Sequence, residues 1–194
     1  MIFPRLPAVR RALAALIAAI SAMHAAGAAA EDGYRLWLRY TPVAQPAHDR
    51  YAARAAGIVA FGHSTVLAAA LGELDRGLAG MLGQAPATTP SVVDGSIVLA
   101  TPDSAPELAA RAAALHLAAA GPEGFVLQST QWQGHSVTLI AANTDVGLLY
   151  GSFRLLGLMQ RREPLTGLQI HDAPRLKLRV LDRWDNPDRS IERG

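Results

Sequence analysis

Residues 125–159 read FVLQSTQWQGHSVTLIAANTDVGLLYGSFRLLGLM, and this stretch decides the fold class. Residues 125–129 and 136–142 are apolar runs of strand length on either side of a turn at Gln133-Gly134, so they predict a β-hairpin. Thr144 or Asp145 then offers a helix cap. The helix that follows is expected to turn Val146, Leu149, Tyr150, Phe153, Leu156 and Met159 toward a core. Gly147, Gly151 and Gly157 each cost the helix about 1 kcal/mol against alanine, so close packing on a sheet is the expected compensation. A hairpin followed by a helix that hugs it predicts a sheet with helical cover.

Upstream the same alternation continues. Residues 97–100 form a short apolar strand bounded by Gly95 and Pro102. Ser104 and Glu107 are spaced as a capping box, with Pro106 in the first turn, and predict a helix with Leu108, Ala112, Leu115 and Ala119 as its inner stripe, ended by Gly121 and Pro122. Residues 85–90 read as a linker. Residues 64–82 place Leu67, Leu71, Leu74, Leu78 and Leu82 at helical spacing, with Gly83 as the C-terminal stop. Residues 41–60 hold Pro42 and Pro46, show no clear period and read mostly as loop. Residues 35–40 alternate, with Leu36, Leu38 and Tyr40 on one face, and read as a strand. The order is strand, helix, strand, helix, hairpin, helix. The fold class is therefore α/β, a small sheet-and-helix domain over residues 31–162.

The first thirty residues carry Arg5, Arg10 and Arg11, an uncharged apolar run over 12–23 and small residues at Ala28-Ala29-Ala30 before Glu31-Asp32. That layout predicts a secretory signal peptide over residues 1–30, cleaved near Ala30, and a periplasmic or extracellular protein. The run is shorter than the roughly 20 residues a membrane span needs. No membrane association is expected after cleavage. The whole chain has 194 residues, 18 basic and 16 acidic side chains and no cysteine. Without the three leader arginines, fifteen basic side chains face sixteen acidic ones. A near-neutral chain has no global pull on phosphate backbones, so nucleic acid is not an expected partner. The lack of cysteine excludes disulfides, thiolate metal sites and a thiol nucleophile.

Beyond residue 162 the character changes. Leu168 to Ile170 is a second short apolar segment, followed by an extended stretch at Asp172-Ala173-Pro174. Leu176, Leu178 and Val180 alternate with Lys177 and Arg179 and run into Leu181-Asp182-Arg183-Trp184-Asp185-Asn186. A strand opening into a polar, aromatic loop is how a barrel strand presents site residues, so residues 163–194 read as a linker and the first strand and loop of a (β/α)8 barrel. The expectation is a barrel only begun in this chain. An indole beside an amide and a carboxylate suits a sugar ring, whose C–H face stacks while its hydroxyls find polar partners. Asp182, Asp185, Asp188 and Glu192 read either as a catalytic set or as loop acids solvating a turn. Trp37 and Trp132 read as core or interface residues or as sugar platforms. His48, His63, His116, His135 and His171 show no ligand spacing, so no metal and no cofactor is expected. The basic residues at 175, 177 and 179 read as a solvated or ion-paired face.

The segment from Arg179 through Trp184-Asp185-Asn186 to Glu192-Arg193-Gly194 resembles the opening barrel segment of the family 67 α-glucuronidases. Leu36-Trp37-Leu38-Arg39-Tyr40 and Leu149-Tyr150-Gly151-Ser152-Phe153-Arg154-Leu155-Leu156 fit the same family, and the helix motif is shared with N-terminal domains of hexosaminidases. Asp182, Arg183 and Pro187 stand where the family usually carries asparagine, histidine and leucine. The resemblance implies an N-terminal α/β domain of hexosaminidase-domain-like form ahead of a (β/α)8 barrel. It implies an inverting hydrolase that removes α-1,2-linked (4-O-methyl)glucuronic acid from xylo-oligosaccharides in xylan degradation, with a homodimer of the full-length protein allowed. Trp184, Asp185 and Asn186 would line the glucuronate subsite, with Glu192 and Arg193 nearby. The acid and base would come from later barrel strands, so no residue here is assigned as catalytic and the chain alone is expected to be inactive. Two other readings stand beside it: a non-catalytic carbohydrate- or partner-binding module, and the N-terminal domain of another polysaccharide hydrolase.

Overall fold

The computed structural model describes residues 39–176 and 178–180. The chain divides into two units, residues 1–39 and 40–194, and every element below belongs to the second. The elements run α1 (Ala47–Ala52), β1 (Gly57–Ala60), α2 (Thr65–Leu82), β2 (Ser96–Ala100), α3 (Pro106–Arg111), α4 (Leu117–Ala120), β3 (Phe125–Trp132), β4 (His135–Ala142), α5 (Asp145–Gln160) and β5 (Gln169–Asp172). The strands make one sheet in the order β1-β2-β4-β3-β5. β1, β2 and β4 are parallel, with Ile58 beside Ile97 and Val98 beside Leu139. β3 runs antiparallel to both β4 and β5.

Alternate residues feed two cores. Ile58, Ile97, Leu99, Phe125, Leu127 and Ile140 pack under α2 and α5. Val59, Val98, Val126, Trp132, Val137 and Leu139 pack under α3 and α4. Covered on both faces, β1 and β2 are apolar without alternation, as buried parallel strands are. That is why β1 is missed at residues 41–60: four residues, Gly57 to Ala60, show no period. α1 is missed with it. Its Tyr51 is buried and donates from Oη to the Glu163 carbonyl at 2.7 Å.

The hairpin and α2 match expectation. Gln133 and Gly134 both have positive φ (49° and 84°), the two-residue turn that suits the twist of an antiparallel pair. Ser64 caps α2, accepting from the Leu67 N–H at 3.0 Å, and Gly83 ends it at φ 83°.

Three readings of the helices are corrected. The single helix after residue 104 is two short ones, broken at His116 with φ 51°. Leu108, Leu115 and Leu117 are all buried. At about 100° per residue, Leu108 and Leu115 share a face but Leu117 lies about 180° away, so one continuous helix cannot bury all three. The capping box does not form; Ala105 is the N-cap and the Ser104 hydroxyl turns back to accept from the Thr101 N–H at 3.0 Å. In α5 the buried stripe is Leu148, Leu155, Leu156, Leu158 and Met159, while Tyr150 and Phe153 are exposed. The two glycines that face the sheet fix this rotation. A Cβ on Gly151 would collide with Ile140, and one on Gly147 would sit 2.6 Å from the Ala142 Cβ. The described part of 176–180 forms no strand, and Leu176, Leu178 and Val180 are exposed. Alternation alone does not make a strand, and no strand pairs with this segment among the described residues. Of the early strand, residues 35–38 lie outside the described residues and Tyr40 is in no element.

Candidate functional site

The three parallel strands end on one rim, and their helices leave it toward opposite faces: α2 and α5 to one, α3 to the other. In open α/β sheets this crevice is where ligands sit. Here it is a polar cleft of about 610 Å³ lined by Gly62 and His63 after β1, Thr101, Asp103 and Ser104 after β2, and Asn143, Thr144 and Asp145 after β4.

Most of these polar groups hold loops together. Ser64 Oγ donates to Asp145 Oδ2 at 2.5 Å and so ties the start of α2 to the start of α5. Asn143 Nδ2 donates to the Leu117 and Gly121 carbonyls at 2.6 and 2.9 Å. Thr144 Oγ1 donates to the Pro122 carbonyl at 2.6 Å. His63 and Asp103 are exposed and carry no hydrogen bond among the described residues. The two carboxylates lie at the solvent rim, without the apolar surround that a glycosidase acid needs. The cleft can accept hydroxyl groups, but it does not hold an acid and a base facing each other across a sugar.

The residues expected to bind sugar, Trp184, Asp185, Asn186, Glu192 and Arg193, lie outside the described residues, as do Asp182, Asp188 and Trp37. Trp132 is no sugar platform. It is buried against Phe61, with ring centres 5.7 Å apart, under the Arg111 guanidinium. Arg179 lies on the ion-paired face expected of it, bonded to Glu123 and over the Tyr150 ring.

Sequence reasoning missed one polar cluster. Glu73 is 5% exposed within the apolar face of α2. It accepts from Tyr40 Oη at 2.5 Å and from Arg76 Nη1 at 2.6 Å. Burial, then the bond to Glu73, pushes the Tyr40 hydroxyl well above the ordinary tyrosine range. The only signal in the sequence is an acid beside the leucine stripe with an arginine three residues on. The cluster pins the incoming chain to α2, where a side chain at Gly80 would strike Tyr40, its Cβ 2.7 Å from Tyr40 Cβ.

Comparison with known proteins supplies what the described residues do not. The family model described as "Glycosyl hydrolase family 67 N-terminus" matches residues 36–155, well over half of the chain. The chain belongs to glycosyl hydrolase family 67. The model for the middle domain of that family matches residues 158–194. "Alpha-glucuronidase A" of Aspergillus tubingensis is 34% identical over 176 residues, covering 86% of this chain and 19% of its own length. "Probable alpha-glucuronidase A" of Aspergillus niger is 31% identical over the same shares. The family 67 chain thus spans about a fifth of the length of the curated relatives it matches. The α/β sheet described above is the N-terminal domain of a glycoside hydrolase family. No helix among the described residues is long and apolar enough to cross a membrane.

Proposed function

We propose that the chain is the N-terminal part of an exported α-glucuronidase, which hydrolyses α-1,2-linked (4-O-methyl)glucuronic acid from xylo-oligosaccharides with inversion. The observation that carries this is the match of residues 36–155 to the family 67 N-terminal model together with relatives named for that activity. In this reading residues 1–30 are the export signal, residues 31–162 form the hexosaminidase-like α/β domain, and residues 163–194 lead into a (β/α)8 barrel. Trp184 stacks on the glucuronate ring, Asp185 and Asn186 bond its hydroxyls, and Glu192 and Arg193 order the loop beside them. The acid and the base lie on later barrel strands, set wide enough apart to hold the attacking water. The protein acts in the periplasm or outside the cell.

The test is an assay on aldouronic acids with anomer detection by NMR. The 194-residue chain alone is expected to release no glucuronic acid, because the described domain holds no facing acid and base. The protein extended through a complete middle domain is expected to release the inverted anomer, and Trp184→Ala in that protein to lose most of the activity. Release by the short chain, or a retained anomer from the long one, would overturn the reading.

A further inference from the structure

The sequence scatters its histidines, but the fold brings two of them together. His116 and His171 are 55 positions apart, yet their ring centres lie 6.4 Å from each other. His116 sits at the junction of α3 and α4. His171 sits on β5 opposite Val126, whose side chain belongs to the core that α4 covers. Paired residues of neighbouring strands point to the same face, so both rings emerge on one side of the sheet. Both histidines are exposed, and neither imidazole makes a hydrogen bond or ion pair among the described residues.

We propose that His116 and His171 form a two-imidazole site for a divalent transition ion, with Cu(II) as the ion that fits best. Distance decides that they can share one ion. With metal–nitrogen bonds of about 2.0 Å and ring centres about 1.2 Å beyond, rings on one ion lie about 6.4 Å apart when opposite and about 4.5 Å apart at right angles. The observed separation stands at the upper end of that range, which corresponds to the two rings on opposite sides of one ion. Backbone shape supplies a second observation. His116 is held at φ 51° and ψ 34°, a region side-chain-bearing residues seldom enter, and this aims its side chain away from the path of a continuous helix. Ligand number selects the ion. Among the described residues no three histidine, cysteine or acidic side chains converge, so a closed tetrahedral zinc site is not formed. Two nitrogens with water in the other positions suit Cu(II), which binds imidazole most tightly of the first-row divalent ions. Bound there, the ion clips α4 to the edge strand β5. The site is independent of the glycosidase reading and shares no lining residue with the cleft at the strand ends.

The experiment titrates the 194-residue chain with copper(II) chloride at neutral pH, read by calorimetry and by electron paramagnetic resonance. Expected are one equivalent bound, an equatorial nitrogen signature and a rise in Tm, since an ion that binds only the folded state stabilises it. His116→Asn and His171→Gln are each expected to weaken binding at least about tenfold and to abolish the Tm rise, because a site with one imidazole has lost its chelate. Asparagine tolerates the left-handed backbone, so the first variant keeps its fold. His48→Gln is expected to leave copper affinity and the copper-induced rise in Tm unchanged. Copper affinity unchanged in either single variant, or no binding by the parent chain, would overturn the proposal.

Discussion

The His48 imidazole lies between two acceptors. Its Nε2 faces the Leu82 carbonyl at 3.2 Å and its Nδ1 faces Asp49 Oδ1 at 3.2 Å. Only the imidazolium can donate to both, so the Leu82 carbonyl first and Asp49 second raise the His48 pKa above its ordinary value of 6.5. Gln45 and His48 in turn lower that of Asp49. A raised folded-state pKa means that the stabilisation is complete below the unfolded value and fades as pH climbs through the folded one. Proton NMR titration should therefore place the His48 midpoint above 6.5, and Asp49→Asn should lower it part of the way, leaving the share due to Leu82. A midpoint at or below 6.5 in the parent chain would contradict this account. None of it is legible in the sequence, because the decisive partner is a backbone carbonyl 34 residues away. Glu73 was hidden for the opposite reason: at helical spacing, an acid beside an apolar stripe looks the same whether it faces water or Tyr40.

Among the elements, α2 and α5 show how differently glycines can act in helices. A Cβ at Gly151 would strike Ile140 on the sheet, and one at Gly77 would sit 2.6 Å from Leu156 on α5, whereas nothing lies within 4 Å of one at Gly72. Gly151→Ala should cost about 2 kcal/mol through overpacking. Gly72→Ala should gain about 1 kcal/mol from helix propensity alone. Urea unfolding of the two variants checks both signs, and a Gly151→Ala protein as stable as its parent would contradict the close helix–sheet contact. The sequence announced the presence of these elements more clearly than their rotation. The hairpin was legible because Gln133-Gly134 is a local turn signal. The phase of α5 was not, because the aromatic side chains compete with the glycine face for the core and the glycine face is the one that turns inward. The break at His116 was invisible because alanine fits any face of a helix, so nothing marked Leu117 as the residue that must turn inward.

For the molecule as a whole, the layered α/β form could be read from the sequence because its crossovers alternate strand and helix along the chain. β1 escaped notice because burial on both faces erases the alternation by which strands are recognised. Trp184, Asp185 and Asn186 stand out in the sequence by their chemical pattern alone, and they lie outside the described residues. The cleft at the strand ends could not be foreseen, since it joins loops separated by about forty residues each.

β4 lies in the middle of the sheet. It has β2 on one edge, β3 on the other, and buried side chains on both faces from Val137 to Ala142. Water can reach its amides only when the neighbours on both sides let go, which amounts to opening the entire domain, whereas β5 has a strand on one edge alone among the described residues and mostly exposed side chains. Deuterium uptake followed by mass spectrometry should mark residues 137–142 last and residues 169–172 early, and the slowest amides of β4 would then report the global unfolding free energy of the domain directly.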